Sequence, residues 1–165
     1  MSLTLHYEQI YAAYSARVYR YFANRVGNRW DAEDLTTAVF VKVFAKLDQY
    51  NRENPFGAWL FRIAHNTFID YLRRKKEIPA KEESFGRIAE EEQHQPEQRL
   101  LEKEQSARLW ELVSALSEDT RQVLALRYQQ GLKLAEIAEI LGKSHSAVKL
   151  LHYRAMKKLQ TMITN

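Results

Sequence analysis

The sequence predicts an all-α protein of two small helical domains joined by a flexible acidic linker, with a helix-turn-helix in the C-terminal domain. Three observations predict it. Apolar residues recur at three- and four-residue spacing through both halves of the 165-residue chain, and no strand-like alternation of useful length appears. Residues 77–95 hold no sustained apolar period but contain Pro79, Gly86 and the run Glu90-Glu91-Glu92. Near the C-terminus, two short amphipathic runs flank Gly142-Lys143-Ser144, a tight turn between helices.

Each element has its own justification. From Ile10 to Val26, Ile10, Tyr14, Val18, Tyr21 and Phe22 follow a helical stripe, and Gly27-Asn28 supplies a stop. Asp31 is placed to cap a second helix, in which Leu35, Val39, Val43 and Leu47 repeat every four residues and Phe40 and Phe44 widen the stripe. The polar run Asp48 to Asn54 reads as a loop. Pro55 then begins a third helix, at its favoured first position, that extends to about Lys76. After the linker, Pro96 opens a helical stretch through Leu100, Leu101, Leu109, Leu112 and Leu116. Ser117 caps a further segment holding Val123, Leu124 and Leu126. The expected domains are therefore 1–76 and 96–165, with 77–95 between them.

Composition excludes several functions. No cysteine is present, which removes disulfides, thiolate metal sites and cysteine nucleophiles. No stretch reaches the roughly 20 apolar residues of a membrane helix, and Met1 to His6 does not resemble a signal peptide, so a cytoplasmic protein without membrane insertion is expected. No cofactor is called for, and no phosphate-binding glycine loop occurs. Charge is segregated along the chain. Residues 1–76 carry 12 Lys/Arg against 7 Asp/Glu, residues 77–104 carry 4 against 9, and residues 105–165 carry 9 against 5. Two basic modules thus flank an acidic connector, an arrangement suited to a polyanionic partner.

In the C-terminal pair of helices, apolar residues at 134, 137, 138 and 141 face Val148, Leu151, Ala155 and Leu159. Gly142 permits the left-handed backbone that ends the first helix, Ala138 permits close packing, and Ser144 caps the second. This is the pattern of a DNA-binding helix-turn-helix. The second helix would present Ser146, Lys149, Leu150, Tyr153 and Lys157, with His145 at its start and Arg154 beside the stripe. An ordinary hairpin with a solvated basic face is the alternative.

In the third helix, Arg62, Asn66, Ile69, Asp70 and Arg73 share a stripe opposite Leu60, Ile63, Ala64, Thr67, Phe68 and Tyr71. The stripe ends in Arg73-Arg74-Lys75-Lys76, and Trp59 at its edge either stacks on an unpaired base or belongs to the core. The three carboxylates of Asp31-Ala-Glu-Asp34 are either an acidic docking site or favourable charges at a helix start.

Taken together, these residues resemble the extracytoplasmic-function (ECF) sigma factors of bacterial RNA polymerase, in the sigma-70 family, over almost the whole chain. Asp31-Ala-Glu-Asp-Leu-Thr-Thr-Ala-Val-Phe40 looks like region 2.2 of that family. Phe56-Gly-Ala-Trp-Leu-Phe-Arg-Ile-Ala-His-Asn66, with Ile69-Asp-Tyr-Leu-Arg-Arg74, looks like regions 2.3 and 2.4, and Leu124 to Leu159 looks like region 4. The chain departs from the pattern at Thr37-Ala38, where glutamine and an acidic residue are usual. It departs again at Leu150-Leu151-His152-Tyr153, where Ser-Arg-Leu-His is commoner. The extra N-terminal region and intermediate domain of housekeeping sigma factors are not expected, nor is a C-terminal accessory domain.

The resemblance implies a non-enzymatic promoter-recognition factor. It implies polymerase-binding residues Asp31, Glu33, Asp34, Leu35, Thr37 and Phe40, which dock on the clamp of the polymerase core. It implies minus-ten DNA-binding residues in the loop (Gln49, Tyr50, Asn51, Arg52 and Asn54) and on helix three (Trp59, Arg62, Asn66, Asp70, Arg73 and Arg74). It implies minus-thirty-five DNA-binding residues Ser144, His145, Ser146, Lys149, Leu150, Tyr153, Arg154 and Lys157, and an anti-sigma factor as a further partner. Without an ATPase motif, strand opening must come from binding energy, through capture of unpaired bases. The 77–95 segment reaches at most about 60 Å when extended, enough for two separated promoter contacts. The rivals are a conventional helix-turn-helix regulator and a helical adaptor for acidic proteins. A metal enzyme using Asp31, Glu33, Asp34 and His65 is disfavoured, because those positions do not converge on a helix.

Overall fold

The computed structural model describes residues 3–77, 107–108 and 111–164, and among them every regular element is helical. The chain divides into two compact units, Met1–Ile88 and Ala89–Asn165. Glu77, expected to open the linker, ends the third helix instead; the rest of the expected linker with its acidic run, and residues 96–106 and 109–110 of the helical stretch opened by Pro96, lie outside the described residues.

The first unit packs three helices, α1 (Leu3–Ala23), α2 (Arg29–Lys46) and α3 (Phe56–Glu77), with a short 3-10 turn at Leu47–Gln49. Its core is aromatic as much as aliphatic. Val18, Tyr21 and Phe22 of α1 meet Val39, Phe40 and Val43 of α2 and Leu60, Phe61, Ala64 and Phe68 of α3, all buried. Edge-on ring pairs such as Tyr21 on Phe61, 5.7 Å between centroids, let large side chains interlock. Arg25 lies over the Tyr21 ring at 4.5 Å, and the Lys42 ammonium donates to the buried Thr67 hydroxyl at 3.1 Å, which ties α2 to α3.

The boundaries of α1 and α2 differ from those expected. α1 begins earlier, because Tyr7 continues its stripe and packs on Phe44 at 4.7 Å. It ends at Ala23, before the glycine, where the Arg25 and Val26 amides both donate to the Phe22 carbonyl and Val26 plugs the core. Asn28 is not a stop but the N-cap of α2: its backbone is extended and its Oδ1 accepts from the Asp31 amide at 2.9 Å. A carboxamide three residues upstream satisfies that orphan amide, so the Asp31 carboxylate is released from capping. At α3, Pro55 stands one residue before the helix, with its carbonyl accepting from the Trp59 amide at 3.2 Å.

In the second unit α4 (Glu118–Leu124) starts on Ser117, whose Oγ accepts from the Thr120 amide at 3.3 Å. It then widens into a π-turn, Ala125–Gln129, and leaves through Gly131 at φ +68°. That widening has no local sequence signature. The exit is held by two bonds between the turn and Leu132: the Leu132 amide donates to the Leu126 carbonyl at 3.1 Å and the Arg127 guanidinium to the Leu132 carbonyl at 3.0 Å. α5 (Leu134–Leu141) and α6 (His145–Thr164) follow, with Ile137, Ala138, Ile140, Val148 and Ala155 buried.

Candidate nucleic-acid interface

The turn between α5 and α6 takes the form expected from its residues. Gly142 adopts φ 65° and ψ 32°, and the Lys143 amide closes back on the Ala138 carbonyl at 3.0 Å, satisfying a carbonyl the ended helix would leave open. Ser144 Oγ accepts from the Ala147 amide at 3.1 Å and starts α6. Two further contacts fix the pair. Lys143 reaches Asp119 at 3.1 Å, and the Tyr128 hydroxyl lies 2.7 Å from His152 Nε2 with the two rings stacked.

Ser144 before α6, and His145, Ser146, Lys149, Leu150, Tyr153, Arg154 and Lys157 on it, are all exposed, with Val148 and Ala155 buried behind them. α6 contains no Asp or Glu, so nothing on the helix offsets its cations. His152 is turned to Tyr128 and anchors the helix. This is the geometry of a recognition helix: a rigid mount, a cationic face and an N-terminal end free to enter a groove.

On α3 the exposed side holds Arg62, Asn66, Arg73 and Arg74, with Asp70 and Ile69 half-buried between them. Arg73 approaches Asp70 at 4.0 Å, an exposed contact too long to hold the guanidinium. Lys75 differs from its cationic neighbours. Its ammonium donates to the Tyr71 hydroxyl at 3.2 Å and sits 5.4 Å from the centre of that ring.

The loop before α3 displays Gln49, Asn51, Arg52 and Asn54 to solvent. It is internally braced: Asn51 Oδ1 accepts from the Glu53 amide at 3.1 Å, the Asn54 amide donates to the Asn51 carbonyl at 3.1 Å, and the Tyr50 hydroxyl donates to the Asn54 carbonyl. Tyr50 and Trp59 are half-buried, with ring centroids 5.1 Å apart and Phe56 against both. Trp59 is thus neither purely core nor a free platform. It forms one wall of an aromatic cluster beneath the loop.

The acidic start of α2 separates into parts. Glu33, Asp34 and Thr37 are exposed, whereas Leu35 (8% exposed) and Phe40 (3%) face the core, where Phe40 packs against Tyr11 at 5.0 Å. Leu35 and Phe40 thus hold α2 in place, beneath the exposed Glu33, Asp34 and Thr37. Asp31 is half-buried and its Oδ2 accepts from the Tyr71 hydroxyl at 2.8 Å, joining the start of α2 to the end of α3. Sequence reasoning missed Trp30, 74% exposed, and Val41, 63% exposed. Their spacing from Thr37, seven residues before and four after, puts all three on one helical line and was the available signal.

Comparison with known proteins agrees with this geometry. Residues 10–78 match Sigma-70 region 2 and residues 106–159 match Sigma-70, region 4. The ECF RNA polymerase sigma factor BldN of Streptomyces coelicolor is 34% identical over 94% of this chain, which spans 59% of BldN's length. The RNA polymerase sigma factor YlaC of Bacillus subtilis is 33% identical, over 95% of this chain and 91% of its own. Among solved structures, CnrH, in complex with the cytosolic domain of CnrY, superimposes with a TM-score of 0.65 at 26% identity, covering 96% of this chain and 87% of that one. With matches in the same order to both conserved regions, and with nearly the full length of YlaC matched, the chain belongs to the ECF branch of the sigma-70 family of RNA polymerase sigma factors.

Proposed function

We propose that the chain directs bacterial RNA polymerase to its promoters through two DNA contacts, one on each unit. The observation that carries this reading is the pair of exposed cationic faces, one on α3 beside a braced loop and one on α6 of a helix-turn-helix, each in a matched sigma region. Residues 1–76 form the minus-ten module and 96–165 the minus-thirty-five module, with 77–95 as the tether.

In the first module, Arg62, Asn66, Arg73 and Arg74 follow the backbone of an opened strand. The loop 49–54 and the Trp59 wall receive an unpaired base. Each captured base offsets an unstacking cost of a few kcal/mol, so strand opening follows from selective binding and no nucleotide hydrolysis is needed. In the second module, α6 lies in the major groove of duplex DNA. The exposed line of α2, Trp30, Glu33, Asp34, Thr37 and Val41, docks on core polymerase. An acidic and apolar strip of this kind suits a protein surface better than a polyanion.

The protein acts in the cytoplasm and has no catalytic role of its own. Among the described residues, no helix is long and apolar enough to cross a membrane. A protein antagonist, an anti-sigma factor, is the further partner; the likeness to CnrH, solved with a second protein bound, supports it.

The test is transcription from a promoter library by core polymerase with and without the chain. Discrete new transcripts are expected. DNA binding without any core affinity would favour a conventional helix-turn-helix regulator and reject this reading.

A further inference from the structure

The exposed face of α6 is unusual in its centre. At about 100° per residue, Ser146, Leu150, Tyr153 and Lys157 fall within about 40° of one line. Lys149 lies about 60° to one side of that line and Arg154 about 80° to the other. Leu150 is 46% exposed and Tyr153 57%, so the middle of the face is apolar and aromatic with a cation on each flank. Lys157 lies over the Tyr153 ring, 5.2 Å from its centre, and holds the ring along the helix.

A large apolar residue in solvent asks what covers it. The surrounding charge answers: Lys149, Arg154 and Lys157 ring the patch and α6 carries no carboxylate, so the occupant is a polyanion with an apolar feature. Duplex DNA offers one such feature to a helix in its major groove, the C5-methyl group of thymine. Leu150 can neither donate nor accept a hydrogen bond, and of the four bases only thymine presents a methyl group to the groove for it to pack against.

We infer that Leu150, flanked by Tyr153, reads thymine in the minus-thirty-five duplex through its methyl group, while Lys149 and Arg154 contact phosphates on the two rims of the groove. This deepens the proposed function and rests on it. Leu150 sets sequence preference, and the flanking cations set affinity and salt dependence.

The test uses the full chain bound to core polymerase. Duplexes are first selected from a library randomised upstream of the minus-ten element. Each thymine of the selected minus-thirty-five site is then replaced in turn by deoxyuridine, which deletes the methyl and changes nothing else. At one or two positions binding should weaken about threefold to fivefold, the worth of one buried methyl group. Leu150→Ala, a change at an exposed position that leaves folding intact, should bind thymine and deoxyuridine duplexes alike while keeping the wild-type salt dependence. A wild-type protein indifferent to every such replacement would overturn the inference while leaving the proposed function standing, as would a Leu150→Ala variant that still discriminates. Failure to select any duplex sequence, despite core binding, would instead reject the minus-thirty-five role and the inference with it.

Discussion

The Tyr71 hydroxyl donates to Asp31 from a half-buried position, and burial, followed by that hydrogen bond, holds its pKa above the ordinary phenol value. The folded chain therefore keeps this proton more tightly than the unfolded chain. The resulting stabilisation is complete below the unperturbed value of 10.0 and is lost as pH rises through the raised folded value. Tyr71→Phe should lower stability at neutral pH by about 1 kcal/mol in chemical denaturation, the usual worth of one such bond. It should also flatten the loss of stability above pH 10. Gly142 supplies a second single-residue test. A Cβ built there meets nothing within 4 Å, so Gly142→Ala is penalised only by its left-handed backbone. A loss of about 1 kcal/mol is expected, and less for Gly142→Asn, both measurable by thermal unfolding of the full chain.

At the scale of elements, α2 and α3 each divide their work between two faces. Trp30 and Val41 of α2 are exposed and contribute little to the core, so replacing both by alanine should leave the unfolding midpoint within error. The same pair should weaken binding to core polymerase by about tenfold or more in a titration, as truncation of apolar contact residues does. On α3 the basic run is not uniform. Arg73→Ala and Arg74→Ala should each reduce the salt slope for single-stranded minus-ten DNA by about 0.7, and lower open-complex formation more than core affinity. Lys75→Ala should change that slope less, because its half-buried ammonium is held against Tyr71.

These contrasts also mark what could be read in advance. The helix-turn-helix was legible because its signals are local: Gly142, Ser144 and Ala138 each act within a few residues. The role of Asp31 was not, because its partner lies forty positions away, and Asn28 displaced it from the cap that local pattern had assigned. Leu35 and Phe40 belonged to a recognisable motif, yet motif membership does not say which side of a helix faces the core. The π-turn after α4 was not read either; its exit is set by bonds between Leu132 and the turn residues Leu126 and Arg127.

At the scale of the whole molecule, the chain holds two small units, and neither buries as large a share of its surface as a domain of ordinary size. Each should be only modestly stable alone and should gain from its partner. With core polymerase present at about a hundredfold over its dissociation constant, linkage adds about 2.7 kcal/mol to the docked unit. That gain should appear as roughly a hundredfold slower proteolysis of the chain in the complex.

The environments of Trp30 and Trp59 have a practical corollary. One indole stands in water at the start of α2 and the other is lodged among Tyr50 and Phe56 beneath the loop. Their emission should therefore differ in colour, the first red and the second blue. With Trp110, which lies outside the described residues, changed to phenylalanine, engagement of polymerase would shift the red component and capture of a base would dim the blue one. A single cuvette could then time the two events separately, with no dye attached.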